Sequence, residues 1–456
     1  MNARQGLEKL HSYPYHLLSW RDASGYPLTV AVAARVDPDS GTATIVPPAG
    51  LEVPSGGELS LTGSHIRPTP GYGYDERRHV TVWGEASRAE DGTILLNVTQ
   101  AWGWDEAEVP FFEYAERSVP RSRRYFERLS RRLGRAVRPQ LSFFWLTLRA
   151  TRLPFLSATF VPVLLGILIA AAEGAFDLAA AVLTVIGAAA VHLGLNVAND
   201  VFDTLSGADE ANVNPTKFSG GSRVIQYGLV SLRRMSLLSA AFYAVGLLLG
   251  LVLLATRGSL ALLVIGVLGV AISVFYTAPP LRLVYRGLGE IAVALGFGPL
   301  MLLGAYVVQT RGEISASAVV ASLPVAIFVA LILYVNEIPD RRADAGAGKR
   351  TLPTRLAPDA VLGLYAVAAA LAFVSVAAGV LLGLLPLPAL LVLLGIPLAM
   401  RVHAGVRRAY DRPYELMPAM ALNIQLHLVV GGMLLLAYVA TIALALVLPG
   451  VRPFLR

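Results

Sequence analysis

The sequence predicts an all-α integral-membrane bundle of about nine transmembrane helices, preceded by a small soluble all-β barrel domain. Its 456 residues are 55% hydrophobic and 15% charged, which is more apolar than is usual for a soluble enzyme of this length. Charges and turn formers are concentrated before residue 140, whereas the rest contains runs of about 20 apolar residues. We therefore expect a β domain at 1–110, a basic linker at 111–150 and a membrane domain at 151–456.

The β domain is predicted from short β-rich runs that alternate with turn signals. The runs LTVAVAARV, TATIV, HVTVWGEA and TILLNV are separated by turn-forming stretches such as DPDSG and EDG, a pattern typical of a small antiparallel barrel or sandwich. The opening MNARQGLEKLHSYPYH lacks the apolar core of a signal peptide. We expect this domain to stay in the cytoplasm.

The linker combines many arginines with apolar residues at helical spacing. Tyr125, Leu129 and Leu133 recur every four residues among nine arginines between 117 and 138. This pattern predicts an amphipathic helix that lies on anionic lipid headgroups. A solvated linker helix is the alternative.

Nine apolar stretches follow, each long enough for a membrane span. Loops after the second, fourth, sixth and eighth stretch are rich in Lys and Arg, whereas the opposite ends carry few. By the positive-inside rule, these loops share the cytoplasmic face. The stretches are 153–172, 178–198, 235–255, 259–276, 288–308, 316–336, 358–382, 384–400 and 426–448.

Two of these stretches end in acidic and amide residues that share one helix face. Asn196, Asn199, Asp200 and Asp203 lie at helical spacing around the end of the second stretch, and Asn336, Asp340 and Asp344 around the end of the sixth. Clustered carboxylates at a membrane helix end repel one another and are costly to desolvate. Mg²⁺ would hold them, since it binds carboxylate and amide oxygens together with substrate phosphates. Helix capping is the alternative explanation.

Both motifs resemble those of a known enzyme family. NDVFDTLSGAD, followed by GGSRVIQYGLVS, resembles the first motif of the UbiA superfamily, particularly its 1,4-dihydroxy-2-naphthoate prenyltransferases of the menaquinone pathway. DRRADAGAGKRTLPTRL resembles the second motif, and FYTAPPLRLVYRGLGEIAVALGFGPLMLLGAYVVQT is similar to the segment around the fifth span. The resemblance covers residues 145–450.

The resemblance implies a Mg²⁺-dependent transfer of a polyprenyl group from its diphosphate to an aromatic acceptor, inside the membrane. It implies catalytic roles for Asp200, Asp203, Asp340 and Asp344. Tyr276, at the end of the fourth span, could face the carbocation. The metal ligands it implies are Asp200, Asp203, Asp209, Asp340 and Asp344. The substrate-binding residues it implies are Asn196, Asn199, Asn336, Lys217, Arg223, Lys349 and Arg149.

The sequence departs from the family pattern at two places. The family's Arg-Pro at the entry to the first span reads RATRLP here, with Ala150 after Arg149. The stretch ANVNPTKFSGGSR lacks the RTxxRP run of the 4-hydroxybenzoate and haem O enzymes, which weakens those two acceptors. Geranylgeranyl transfer to a glycerol-phosphate ether remains an alternative, and a transporter with a regulatory soluble domain is an alternative of another class.

The N-terminal region is similar to the split barrels of the pyridoxamine-phosphate-oxidase-like flavin proteins. The similarity rests on LLSWRDASGYPLTVAVAARVD, GELSLTGSHIRP and HVTVWGEA. It implies either FMN binding, with Ser64, His65 and Arg67 as phosphate ligands, or a barrel that only docks. The chain has no cysteine, which excludes disulfides and thiolate sites. Its charge of +7 is explained by the basic membrane loops, so we expect no nucleic-acid partner.

Overall fold

The structure, a computed structural model, describes residues 1–22, 26–54, 56–68, 74–138 and 142–447. The chain divides into two compact units, Met1–Ser118 and Val119–Arg456. This division falls inside the predicted linker. Residues 139–141 of that linker and residues 448–456 of the predicted membrane domain lie outside the described residues.

The first unit is a six-stranded antiparallel sheet preceded by one helix. The sheet closes on itself in the order β1-β2-β3-β6-β5-β4, with β4 pairing back to β1. The predicted all-β domain is therefore confirmed. Its elements are α1 (Ala3–His11), β1 (His16–Arg21), β2 (Pro27–Asp37), β3 (Thr42–Val46), β4 (Glu58–Pro68), β5 (Tyr74–Arg88) and β6 (Ile94–Asp105).

The core of this unit lies inside the closed sheet. Leu61 of β4 and Val82 of β5 are fully buried there, as alternation of side chains along a strand requires. Helix α1 adds Leu7 and Leu10 to the same core. The helix begins after Asn2, which forms a capping box with Gln5.

One close backbone contact in the sheet depends on glycine. A Cβ added to Gly84 of β5 would lie 1.7 Å from the backbone oxygen of Asn97, at the point where the β5–β6 register shifts. We expect Gly84→Ala to lower the free energy of unfolding of the first unit by about 1–3 kcal/mol, because the strands must separate locally. Tryptophan fluorescence during urea unfolding of the full chain measures this, since Trp20, Trp83 and Trp102 lie in this unit.

Gly56→Ala is the matched control, because its added Cβ meets no atom within 4 Å. Equal unfolding midpoints for the two variants would contradict the packing argument.

The second unit is helical. Helix α2 (Phe111–Leu133) crosses the boundary between the units, and Pro120 lies within it. The remaining helices are α3 (Phe143–Thr151), α4 (Ser157–Ala172), α5 (Leu178–Ser206), α6 (Ala208–Ala211), α7 (Leu232–Arg257), α8 (Leu260–Phe275), α9 (Gly289–Leu295), α10 (Met301–Thr310), α11 (Ala316–Gly346), α12 (Leu352–Arg355), α13 (Pro358–Leu381), α14 (Ile396–Ala409) and α15 (Pro413–Val447).

All nine predicted apolar stretches correspond to helical segments. Within the described part of the chain, seven segments are long and apolar enough to cross a membrane, one of them the continuous run Gly289–Thr310 through α9 and α10. Helices α4 and α8 have only 16 residues each, about 24 Å of helix. A 3₁₀ turn, Leu153–Leu156, runs directly into α4. The predicted helical membrane bundle is confirmed, with nine as the approximate number of its described apolar helical segments.

The two helices that carry the acidic motifs extend past their predicted spans. Helix α5 has 29 residues and α11 has 31, so each is about 45 Å long. Asp177 and Ser315 cap their N-termini through side-chain oxygens. Gly207 ends α5 in the left-handed conformation. The acidic residues therefore lie on regular helix rather than in loops, which keeps their side chains on one face.

Candidate active site

A polar cleft of about 200 Å³ lies between the C-terminal ends of α5 and α11. It also receives side chains from α6, from the loop after α6 and from the loop after α11. Both acidic motifs therefore converge on one cavity. The predicted site residues that line it are Asn196, Asn199, Asp203, Asp209, Tyr276, Asn336, Asp340, Asp344 and Lys349.

Lys349 joins the two acidic motifs. Its Nζ lies 2.8 Å from Asp203 Oδ2 on α5 and 3.7 Å from Asp344 Oδ1 on α11. Burial lowers the pKa of Lys349, but the two carboxylates outweigh this effect and raise its pKa above the ordinary value. The ammonium group therefore stays charged and compensates both carboxylates. Tyr285 Oη also donates to Asp203 Oδ1 at 3.3 Å.

Asp340 is held by the loop that follows α6. Asn212 Nδ2 and Ser219 Oγ each donate to Asp340 Oδ1 at 2.9 Å, and the backbone N–H of Gly220 donates to Oδ2 at 2.8 Å. These donors follow the first acidic motif in sequence, whereas Asp340 belongs to the second. The loop thus connects the two motifs through hydrogen bonds.

Asp200 is buried beside Arg152, a residue that the sequence analysis did not assign. Arg152 Nη2 lies 2.6 Å from Asp200 Oδ1, and the backbone N–H of Ser222 donates to both carboxylate oxygens at 3.2 Å. Arg152 also lines the cleft, whereas Asp200 is not among its described lining residues. The sequence analysis assigned Arg149 to the site instead. Arg152, the second arginine of the same RATRLP stretch, is the residue that could have been assigned from it.

Asp209 lies on α6, close to several other charged side chains. Burial, and then the carboxylates of Asp203 and Asp200, raise the pKa of Asp209 well above its ordinary value. Gln226 Nε2 donates to Asp209 Oδ2 at 3.2 Å, and the Arg223 guanidinium donates to the Asp209 backbone oxygen. Arg223, predicted to contact diphosphate, is thus bonded here to the acidic loop itself.

Three predicted substrate ligands lie outside the described cleft lining: Arg223, Lys217 and Arg149. Lys217 is exposed. Arg149 is also exposed, and its Nε donates to the backbone oxygen of Ser222 at 2.7 Å while its guanidinium lies over the ring of Tyr227. Arg149 therefore positions the loop that contacts Asp200. Their assignment as direct diphosphate ligands stays a prediction.

An apolar cavity of about 540 Å³ adjoins the polar cleft. Side chains of α5, α7, α8 and the α9–α10 segment line it, and the two cavities share His192, Leu195, Tyr276, Val293 and Phe297. His192 Nδ1 is within 2.7 Å of Thr159 Oγ1, so this histidine has the structural partner expected for a buried imidazole.

Tyr276 lies where the two cavities meet. Its aromatic ring lines both cavities, so its π face is available to a cation at their junction.

The chemistry of the site fits Mg²⁺ bound jointly with a phosphate group. Asp203, Asp209, Asp340 and Asp344 are hard oxygen donors around one cleft. No group of three or more His, Cys, Asp or Glu side chains that could hold a metal ion occurs within the described ranges. Mg²⁺ usually takes only one or two protein carboxylates and completes its shell with water and substrate phosphates. The donor set therefore suits a metal that arrives with a diphosphate.

The predicted FMN group in the first unit has a different environment. Arg67 forms hydrogen bonds of 2.8 and 2.9 Å with Asp75, and its Nη1 lies 2.9 Å from Glu76. Ser64 and His65 are consecutive strand residues, so they point to opposite faces of the sheet. The positive charge that a phosphate requires is already paired with carboxylates, and this geometry does not support FMN at these residues.

Comparison with known proteins identifies the second unit. The sequence model of the UbiA prenyltransferase family matches residues 159–424. The chain belongs to this family. It is accordingly an intramembrane prenyltransferase and a multi-pass membrane protein, which confirms the predicted family and enzyme class and excludes the transporter alternative.

Two curated relatives are named for naphthoate or naphthoquinone prenylation. The chain is 29% identical to 1,4-dihydroxy-2-naphthoate octaprenyltransferase of Bacillus subtilis, over 51% of this chain and 73% of the relative. It is 26% identical to 2-carboxy-1,4-naphthoquinone phytyltransferase of Synechocystis, over 67% of this chain and 96% of the relative. A solved UbiA homologue from Archaeoglobus fulgidus, bound to DMAPP and Mg²⁺, is 17% identical with a TM-score of 0.46, over 63% and 98% of the two chains.

The loop after α6 passes close to the first acidic motif at Gly221. This residue has a φ of +74°, and a Cβ placed on it would lie 2.9 Å from Asp209 Oδ1. We expect Gly221→Ala to reduce prenyl transfer at least about tenfold, because the loop must move away from the carboxylates. Turnover by the purified variant, after size-exclusion chromatography has verified folding, measures this.

Gly228→Ala separates the clash from simple backbone strain. Gly228 has a φ of +70° and lies after the same loop, yet its added Cβ meets no atom within 4 Å. Equal activity losses in the two variants would show that strain alone is responsible.

Proposed function

We propose that this protein transfers a polyprenyl group from its diphosphate to an aromatic acceptor such as 1,4-dihydroxy-2-naphthoate, as a step of quinone biosynthesis. One observation carries the proposal: a polar cleft lined by both acidic motifs shares a wall with an apolar cavity. An isoprenyl diphosphate has the same two parts, a polyanionic head and a hydrocarbon tail. The names of the two curated relatives support the aromatic acceptor.

In this proposal the diphosphate occupies the polar cleft. Asp203, Asp209, Asp340 and Asp344 would hold Mg²⁺, which supplies positive charge to the phosphate oxygens and so stabilises the leaving group. Lys349 and Arg152 line the same cleft and add fixed positive charge. Asn199 and Asn196, one and two turns before Asp203 on α5, line the same cleft and would serve as amide donors to the phosphate groups.

The prenyl tail would lie in the apolar cavity. Gly250, Gly266 and Gly269 line this cavity and meet no side chain where a Cβ would be added, so they leave room for a chain of hydrocarbon. The apolar walls also exclude water that would capture an allylic carbocation. Tyr276, at the junction of the two cavities, presents its ring where the reacting carbon would be.

The direct test supplies membranes containing the protein with Mg²⁺, geranylgeranyl diphosphate and one of two acceptors. We expect a lipophilic product with 1,4-dihydroxy-2-naphthoate. Product formed only with geranylgeranylglyceryl phosphate would instead assign the ether-lipid reaction, and product with neither acceptor would oppose the proposal.

The acidic motifs are tested by single isosteric changes. We expect Asp203→Asn and Asp340→Asn each to lower kcat by about 100-fold or more, since each removes charge that holds the metal and the diphosphate. Chelation of Mg²⁺ by EDTA should abolish turnover in the wild type. Steady-state assay of purified protein measures both effects.

Asp359→Asn is the matched control for these changes. Asp359 is an exposed aspartate in the first turn of α13, so its loss should leave kcat unchanged. Wild-type turnover by Asp340→Asn, or full activity in EDTA, would contradict the metal assignment.

The apolar cavity predicts a dependence on donor chain length. Gly269→Phe places a ring in this cavity, so we expect a KM that rises at least tenfold for geranylgeranyl diphosphate and changes little for dimethylallyl diphosphate. Gly432→Phe on α15 is the control, because its position is open and lies outside the described lining of the cavity. Equal effects of Gly269→Phe on both donors would place the tail elsewhere.

A further inference from the structure

The polar cleft contains a carboxylate that was not among the predicted site residues. Glu337 lies on α11, one turn before Asp340, and lines the cleft. Its side chain is only 6% exposed, and apart from the neighbouring carboxyl group of Glu290, neither carboxyl oxygen has a hydrogen-bond partner among the described residues. A buried carboxyl group that receives no hydrogen bond from an N–H or O–H donor is unfavourable. Such a group at the wall of a cavity therefore indicates a ligand that supplies the missing partner.

Among the described carboxyl groups, Glu290 in the first turn of α9 acts most strongly on Glu337, through its charge and a side-chain hydrogen-bond contact. Glu290 Oε1 accepts the backbone N–H of Leu352 at 2.6 Å, so it is held by its own partner. Tyr276 at the end of α8, Asp344 on α11 and Lys349 after α11 are the other titratable side chains whose charge acts on this pair.

Two further buried oxygen atoms belong to residues that line the same cleft. Asn336 Oδ1 and Thr351 Oγ1 have no hydrogen-bond partner among the described residues. Carboxylate and amide oxygens accept hydrogen bonds but do not donate them, and a hydroxyl does either. An ionised diphosphate offers no O–H donor, and neither does a hydrocarbon tail. A ligand that carries hydrogen-bond donors, as the hydroxyl groups of a dihydroxyaromatic ring do, would satisfy these oxygens.

We propose, on the basis of the prenyl transfer proposed above, that Glu337 binds a ring hydroxyl of the aromatic acceptor and takes its proton as the new carbon–carbon bond forms. Asn336 Oδ1 accepts a second donor from the same ring. Glu337 is then the base that converts the acceptor into a stronger nucleophile, and the carboxylates of the two acidic motifs remain free for the metal and diphosphate.

The step balances without any further reactant. The O–H bond breaks and its proton moves to the Glu337 carboxylate, while the oxygen electron pair enters the ring. A ring carbon uses a π pair to bond the allylic carbon, whose C–O bond has broken with its electrons leaving on the diphosphate. The attacked carbon then loses its proton to the diphosphate, or its carboxylate as carbon dioxide, and Glu337 returns its proton to the ring oxygen.

The test is Glu337→Gln, assayed with 1,4-dihydroxy-2-naphthoate, geranylgeranyl diphosphate and Mg²⁺. We expect kcat to fall about 100-fold and KM for the naphthoate to rise, with KM for the donor and the Mg²⁺ concentration for half-maximal rate unchanged. Glu337→Asp should recover part of kcat. Glu313→Gln, an exposed glutamate in the loop before α11, is the control and should match the wild type.

The kcat/KM values for the two mono-O-methyl ethers of 1,4-dihydroxy-2-naphthoate distinguish direct binding of a hydroxyl by Glu337 from a purely structural role of Glu337. Methylation of the hydroxyl that Glu337 binds should reduce kcat/KM at least tenfold in the wild type and far less in Glu337→Gln, because the two changes remove the same interaction. If the variant does not fold, the wild type alone still tests the proposal through unequal losses with the two ethers.

Three results would overturn this inference. They are wild-type kinetics in Glu337→Gln, equal losses for both ethers in the wild type, or a raised Mg²⁺ requirement with unchanged naphthoate KM, which would make Glu337 a metal ligand. Failure of the wild type to prenylate any aromatic acceptor would instead refute the proposed function itself, so the two failures are distinguishable.

Discussion

The arrangement of the membrane unit depends on the buried carboxylates at the ends of α5 and α11, whose charges must be compensated by cations and hydrogen bonds. Isolated buried charges are strongly unfavourable, and paired ones are tolerated only with good geometry and further hydrogen bonds. Lys349 compensates Asp203 and Asp344 together, Arg152 compensates Asp200, and backbone amides of the loop after α6 bind Asp200 and Asp340. These contacts hold α5, α11 and both following loops in one geometry, and the cleft is the space that they enclose.

The same compensation prepares the site for a more highly charged ligand. A diphosphate with its metal brings both signs of charge, and the side chains that now pair with one another would pair with it instead. Lys349 is the clearest case, since it lies between carboxylates of the two motifs and also lines the cleft. The adjoining apolar cavity receives the part of the substrate that has no charge, so one molecule spans two environments of very different polarity.

The acidic residues were predictable from sequence because their relation is local. Spacings of three, four and seven residues place side chains on one face of any α-helix, and both helices continue through these residues. The cations were harder to assign. Arg149 and Arg152 are three residues apart in the same motif, yet only Arg152 reaches a carboxylate, 48 residues away in sequence. The donors to Asp340 are 120 to 128 residues from it, and no periodicity relates such distances.

The sequence by itself determined the membrane bundle, the β domain before it and the helix faces that carry the acidic residues, because hydrophobicity, β pattern and helical period are properties of neighbouring residues. Its family motifs determined the reaction class. Only the tertiary structure decided which cation meets which carboxylate, that the polar cleft and the apolar cavity share Tyr276, and that Glu337 lines the cleft with Glu290 as its one described hydrogen-bond neighbour. Those relations are set by packing between helices that are distant in sequence, where burial and charge must be balanced in three dimensions.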